Sequence, residues 1–178
     1  MEFLSDWIKT FFTAMIPIGE LRASIPVALL SFKMGIIETY IISVIGNLVP
    51  VVIILWVMEP VSRFLMKRFN WANRFFSWLF NRTRKRHSAK FEKYQGFALI
   101  SFVGIPLPVT GGWTGALIAY VFGIPPKKAL WQITIGVLIA GIIVTIITKT
   151  VGYVKFIMSD TVIFESMLGT VKSVIYRL

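Results

Sequence analysis

The chain has no cysteine and a single histidine, His87. The first absence excludes disulfides, thiolate chemistry and Cys-bound metals. The second excludes a Ser–His dyad at membrane depth, because His87 sits in a basic run. Acids are scarce too, with eight Asp and Glu against 19 Lys and Arg, for a net charge of +11. No His, Asp or Glu group has the spacing of metal ligands. Neither a metal nor a cofactor is expected, and catalysis is not expected either. Charge of any sign is missing from long stretches. Thr39 to Met58 and Ala129 to Thr148 carry none. Each is long enough to cross a bilayer by the rule of about 20 apolar residues per span.

What is present fits a membrane. Hydrophobic residues make up 56% of the 178, above the roughly 45–50% of a soluble domain. The mean hydropathy is +0.76. These values predict an all-α integral membrane protein of one domain, residues 1–178. The opening Met1-Glu2-Phe3 lacks the basic region of a signal peptide, so the N-terminus is expected to belong to the mature protein. The positive charge is concentrated. Between Pro60 and Lys93 stand ten Lys or Arg against one acid, Glu92, with Arg82-Thr-Arg-Lys-Arg-His87 at the centre. Beside a membrane segment such a run marks a cytoplasmic loop rather than a nucleic-acid patch. It would also suit anionic lipid headgroups.

Two interruptions carry the functional signal. The first is Ile16-Pro-Ile-Gly-Glu-Leu-Arg22, with Pro17, Gly19 and, further on, Pro26. The second is Gly104-Ile-Pro-Leu-Pro-Val-Thr-Gly-Gly-Trp-Thr-Gly115, with Pro106 and Pro108, inside 33 uncharged residues from Tyr94 to Pro126. Proline and glycine at this density do not permit one unbroken helix. Broken backbone at membrane depth persists only where protein covers it or water reaches it, and transporters bind substrates at such breaks.

Glu20 and Arg22 are the ionisable residues of the first break. Such residues inside a membrane segment are functional by default. At i and i+2 they cannot face each other on a regular helix, so each needs another partner or both line one cavity. Glu20 could carry a proton and Arg22 could hold an anion. The alternative is that both snorkel to water at the interface. The second break offers Thr110, Gly111, Gly112, Trp113 and Thr114. Glycines before a helix N-terminus can form an anion site. Gly111 to Gly115 is also a small-xxx-small packing motif, and spacing alone does not separate the two. Asn47 and Pro50 on the first span read as helix–helix glue or a kink.

Periodicity gives the rest. Phe3, Leu4, Trp7, Ile8, Phe11, Phe12 and Met15 form one face of an amphipathic helix. A short helix is expected from about Glu20 to Phe32, then the first span. Arg63, Lys67, Asn70, Arg74, Ser77 and Asn81 mark one face of a surface helix after Pro60. A short helix from Gly96 to Val103, a second half-helix to Phe122, the second span and an amphipathic tail complete the chain. The halves align weakly as a repeat: about 1–59, a basic linker 60–93, about 94–155, and a tail 156–178. Were each break part of a full crossing, there would be four spans and Lys127-Lys128 would lie outside. Were each a re-entrant hairpin, Lys127-Lys128 would lie inside, as the positive-inside rule prefers, and the repeats would be inverted. The charge distribution favours the second.

The motifs Ile16-Pro-Ile-Gly-Glu-Leu-Arg-Ala-Ser-Ile-Pro26 and Phe102-Val-Gly-Ile-Pro-Leu-Pro-Val-Thr-Gly-Gly-Trp-Thr-Gly-Ala-Leu117 resemble those of the small multidrug export proteins of prokaryotes. That family in turn resembles the DedA/VTT superfamily at a distance. The resemblance implies two inverted re-entrant hairpins, each followed by a transmembrane helix, in the cytoplasmic membrane. It also implies movement of an anionic lipid, such as undecaprenyl phosphate or a phospholipid, with protons as a coupling partner. Glu20 matches the acid that DedA relatives carry in the first hairpin. Their arginines around the second hairpin have no counterpart here, which leaves Arg22 in that role or a different substrate. A proton-coupled exporter of small molecules, an ion channel and a non-transporting scaffold are the other readings. A homodimer is among the assemblies left open, and no nucleic acid is expected.

Overall fold

A computed structural model describes residues 2–17, 19–83, 89–107 and 110–175, with side chains for 5–17, 19–81, 94–107 and 110–152. Pro108, His87 and the apolar face of the tail therefore lie outside the described side chains. The described residues are mostly helical, and none of them forms a strand. The chain divides into two compact units, Met1–Thr145 and Ile146–Leu178. The second continues the last helix as far as Ile175.

In the first unit, α1 (Glu2–Met15) stops where Pro17 and Gly19 follow. The chain restarts as α2 (Glu20–Pro26). Pro26 does not interrupt the chain. It is the last residue of α2, and helical backbone continues into a π turn, Val27–Ser31. Lacking an N–H, Pro26 cannot bond the Arg22 carbonyl, and a wider i→i+5 winding absorbs the loss. Phe32 N–H thus reaches the Val27 carbonyl at 3.1 Å. After a turn at Lys33, where φ is +52°, α3 runs from Ile36 to Arg68.

The helix expected to begin after Pro60 is divided differently. Its first part belongs to α3, which passes through both Pro50 and Pro60, and the break falls at Phe69, in extended backbone. A proline inside a helix removes one bond, and an otherwise favourable helix survives that. At 33 residues α3 is about 50 Å long, more than the roughly 30 Å hydrocarbon core. Arg63, Lys67 and Arg68 occupy the overhang. Then α4 spans Asn70–Thr83, with Trp71 and Phe75 stacked on one another.

The second half has the same order of parts. Helix α5 (Ala89–Gly104) leads to a break, α6 (Gly112–Val121) follows, and a turn at Gly123 and Pro125 opens α7 (Pro126–Ile175). Among the described residues, two stretches are long and apolar enough to span a membrane, Ile36–Arg68 and Pro126–Gly152. Ile37, Ile41, Ile45, Ile53 and Trp56 of α3 stand exposed. A soluble protein rarely leaves so continuous an apolar face, whereas lipid covers it at no cost. This is a membrane protein.

Small residues set the close contacts. A Cβ at Gly46 would stand 2.6 Å from the Phe11 carbonyl oxygen and 3.0 Å from Ala14 Cβ. A Cβ at Gly136 of α7 would meet Val103 Cβ of α5 at 2.7 Å. Tyr40 Oη donates to the Leu138 carbonyl at 2.9 Å and ties α3 to α7. We expect Gly46→Ala to destabilise the protein by about 1–3 kcal/mol, because the obstacle is backbone and cannot swing aside. Gly35→Ala meets only the Glu38 side chain, at 3.5 Å, and is the control. Thermal melts in detergent should separate the two variants, and equal melting temperatures would refute the packing argument.

Candidate functional site

An interrupted helix leaves up to four N–H or four C=O groups without partners at each end. In the first break the open groups are carbonyls at the end of α1. In the second they are N–H groups at the start of α6. The two breaks meet, and each closes the other.

Glu20 starts α2 with φ of +45°, in the left-handed region that side chains avoid. Its N–H bonds the Ile16 carbonyl at 3.0 Å. The carboxylate, only 8% exposed, crosses to α6, where Oε1 accepts the Trp113 N–H at 3.3 Å. Gly112 and Asn47 line the same cleft as Glu20. A carboxylate at a helix N-terminus satisfies orphan donors and meets the positive end of the dipole. Thus the glycine-rich helix start is occupied by a carboxyl group of the chain itself.

The glycines divide between the two readings that spacing left open. A Cβ on Gly111 would fall on the Glu20 carboxylate. One on Gly112 would stand 2.6 Å from Asn47 Oδ1 and 2.7 Å from Val51 Cγ2. These two glycines make room for the site. Gly115 instead packs against Val103 of α5, whose Cγ2 is 2.5 Å from where its Cβ would be.

Arg22 reaches the same break from the other side. Its guanidinium donates to the Thr110 carbonyl, and Nη2 lies 3.1 Å from Thr110 Oγ1. That hydroxyl also gathers the loop, 2.9 Å from the Ile105 carbonyl and 2.8 Å from that of Leu107. Pro106 lies in this loop and lines the cleft beside Glu20. Glu20 and Arg22 therefore do not bond each other; each has its partner across the interface. Trp113 Nε1 donates to the Met15 carbonyl at 3.1 Å, and Asn47 Nδ2 to that of Ala14 at 3.4 Å. Both acceptors are orphans at the end of α1. Thr114 faces inward only as far as its own turn, donating to the Gly111 carbonyl at 3.3 Å. Pro17 and Gly19 shape the first break, and Gly19 sits tightly under Ala23.

Beside Glu20 and Arg22 a narrow cleft, also lined by Asn47, Gly111 and Gly112, has about 10 Å³ open to the centre of a water molecule. That is about one water. A larger cavity of about 270 Å³ lies further along α3, lined by Glu59, Ser62, Arg63, Phe80 and Tyr120 among others. There Arg63 pairs with Glu59 at 2.5 Å, and the Ser62 and Tyr120 hydroxyls bond.

Asn47 is the residue that sequence reasoning undervalued. From α3 it touches both the end of α1 and the start of α6. A polar residue in the middle of a charge-free span was the available signal.

Residues 20–143 match the protein family described as "Putative small multi-drug export protein". No curated protein matches the chain. No solved structure matches it either.

The clasp makes a pairwise prediction. Glu20→Ala leaves buried N–H groups unpaired, at a cost of about 1–3 kcal/mol. Glu20→Gln keeps an acceptor oxygen and should cost less. Gly111→Ala should be damaging in the wild type and milder in Glu20→Ala, with a coupling of about 0.5–3 kcal/mol. Melting temperatures of the four proteins give the cycle, and strict additivity would mean that Gly111 does not make room for Glu20.

Proposed function

The chain belongs to this family of small multi-drug export proteins, and from that premise we propose a multi-pass carrier of the prokaryotic cytoplasmic membrane. In this reading it moves an anionic amphipathic substrate, a lipid or lipid-linked phosphate, in exchange for protons. It is a carrier and not an enzyme.

The observation that carries the reading is the Glu20 carboxyl group seated on α6. Trp113 N–H holds the Glu20 carboxylate, and Arg22 stands at the same break. A phosphate has the charge and acceptors to take the carboxylate's place on those N–H groups and on the Arg22 fork. Protonation of Glu20 weakens the carboxylate's hold on the dipole and frees the site. Proton and substrate thereby compete through one side chain, which is the element coupled exchange requires. The absence of a roomy cavity at this cleft fits a headgroup that slides between the breaks while its acyl chain stays in lipid.

Each break is read as the tip of a re-entrant hairpin. The two sets of parts, α1 to α3 and α5 to α7, then have inverted topology, and the breaks meet near mid-membrane. The basic end of α3 and Lys127-Lys128 face the cytoplasm. A second reading, export of small drug-like cations or neutral molecules, is favoured by the family description and by the 270 Å³ cavity with its Glu59 and aromatic lining.

Two measurements test this. In proteoliposomes carrying labelled anionic lipid, wild-type protein should speed translocation under a proton gradient. Glu20→Gln should abolish that, and Arg22→Lys should impair it, because an ammonium lacks the bidentate fork. Drug efflux without lipid movement would select the second reading, and full activity of both variants would remove the clasp from the mechanism. For topology, single cysteines introduced into this cysteine-free chain at Lys67 and Lys127 should label from the cytoplasm, and one at Lys33 from outside. Labelling of position 127 from outside would replace the hairpins with four full spans.

A further inference from the structure

Among the described residues, five enclosed side-chain oxygens have no protein partner: those of Ser24, Thr39, Ser43, Asn47 and Gln132. Four of the five lie on α2 and α3. That concentration is not a property of hydroxyls in helices generally. Thr10, Thr13, Thr134, Thr145 and Thr150 each donate to the carbonyl four residues back, at 2.7–2.9 Å. This is how a hydroxyl is ordinarily satisfied in an apolar helix. Ser24, Thr39 and Ser43 do not do this.

Their positions form a line. Helix α2, its π turn and α3 are joined by a short turn and pack on each other. Glu20 and Asn47 line the same cleft. Ser24 is one helical turn beyond Glu20, toward the joining turn. Ser43 is one turn before Asn47, in the same direction. Thr39 lies one turn further still. At 1.5 Å per residue these are steps of about 6 Å. Ser24, Ser43 and Asn47 are 0% exposed and Thr39 is 1% exposed. Thr39 N–H bonds the carbonyl of the exposed Gly35 at 2.9 Å, and the exposed Lys33 lies two residues before it. Buried, unpaired oxygens thus recur at one-turn spacing along α2 and α3, from the cleft of the buried acid toward the end of the α2–α3 pair. The π turn falls beside this series, and such turns recur at functional sites.

Buried polar groups without protein partners bind water, given room and several partners per water. We propose that Asn47, Ser43, Ser24 and Thr39 hold a file of buried waters that carries protons between Glu20 and the surface at Lys33 and Gly35. The inference rests on the reading of Glu20 as proton carrier. In the cleft, Arg22 is the other ionisable lining residue. The remaining lining comes from Asn47, glycines and apolar side chains of α2, α3, α5 and α7. The file therefore gives Glu20 a connection that its lining lacks. In the hairpin topology the route opens outward, so protons enter from the side to which substrate leaves.

The test uses the full chain in liposomes. Single cysteines replace Ser24, Ser43 or Thr39, with Ile25→Cys and Ile133→Cys as references at fully buried apolar sites. Silver ion, small enough for a narrow wet path, is the probe. The three path cysteines should react roughly tenfold faster than the references, since thiolate forms where water reaches. Equal, slow reaction at all five sites would mean dry packing and overturn the proposal. Equal, fast reaction would mean a generally open protein and overturn it as well. The second measurement is proton-gradient stimulation of transport in Ser43→Ala and Thr39→Val. Loss of stimulation with retained substrate binding supports the route. Unchanged stimulation overturns its role in proton supply, even where the cysteines react. Reactive path cysteines in a protein that moves no substrate under any gradient would sink the transport reading and leave the water file standing.

Discussion

The fold depends on one carboxylate placed on one helix end. Lipid offers no hydrogen bonds, and an unsatisfied backbone group there costs several kcal/mol. Among the described residues, the breaks after α1 and before α6 leave groups of opposite character. The end of α1 exposes carbonyls and the start of α6 exposes N–H groups. Glu20, beside the first break, supplies the acceptor that α6 lacks. Trp113 from α6 and Asn47 from α3 supply donors to Met15 and Ala14. Arg22 closes the Thr110 carbonyl. Each break thus supplies side-chain partners for backbone groups of the other.

The surrounding contacts are of another kind. Gly46 against α1, Gly136 against α5 and Gly115 against Val103 bring helices together at distances that a methyl group would prevent. Such contacts are stiff, because close-packed interiors have few alternative arrangements. The clasp between the breaks is a handful of polar bonds, each worth about 0.5–1.5 kcal/mol net. Interhelical bonds in membranes average about 0.6 kcal/mol. Their sum is a few kcal/mol, within the range that protonation or one ligand can shift. Rigid helices joined by a weak polar clasp are the material of a two-state device, and this supports reading the clasp as the moving part.

Much of this was legible in the residues, and what was not has physical causes. The breaks were visible because Pro17, Gly19, Pro106 and the glycines stand in apolar surroundings. Glu20 and Arg22 were visible because charge there is expensive. Their partners were not, since each lies about 90 residues away and no local pattern encodes a contact between two irregular loops. The Gly111 to Gly115 motif was ambiguous because it serves two purposes, and only the position of the Glu20 carboxylate separates them. Pro60 misled as a helix boundary. Proline removes one bond, and whether the helix continues depends on neighbours that the local sequence does not name. Ser24, Ser43 and Thr39 gave no signal, because hydroxyls in spans ordinarily satisfy themselves.

The backbone of Glu20 adds a final constraint. A non-glycine residue at φ +45° carries a local cost of about 1–3 kcal/mol, tolerated only where surroundings impose it. Two things impose it here, the Ile16 carbonyl on its N–H and the α6 N-terminus on its carboxylate. The first is a short local bond that survives small rearrangements. The second ends when the carboxylate is neutralised or replaced by another anion. Release of the side chain therefore removes the restraint on the strained torsion, and the backbone gains by relaxing. Strain at Glu20 thus favours opening, while attraction to α6 favours closing. A residue with opposed forces of similar size acting on it is poised, and the occupant of the α6 N-terminus decides which one prevails.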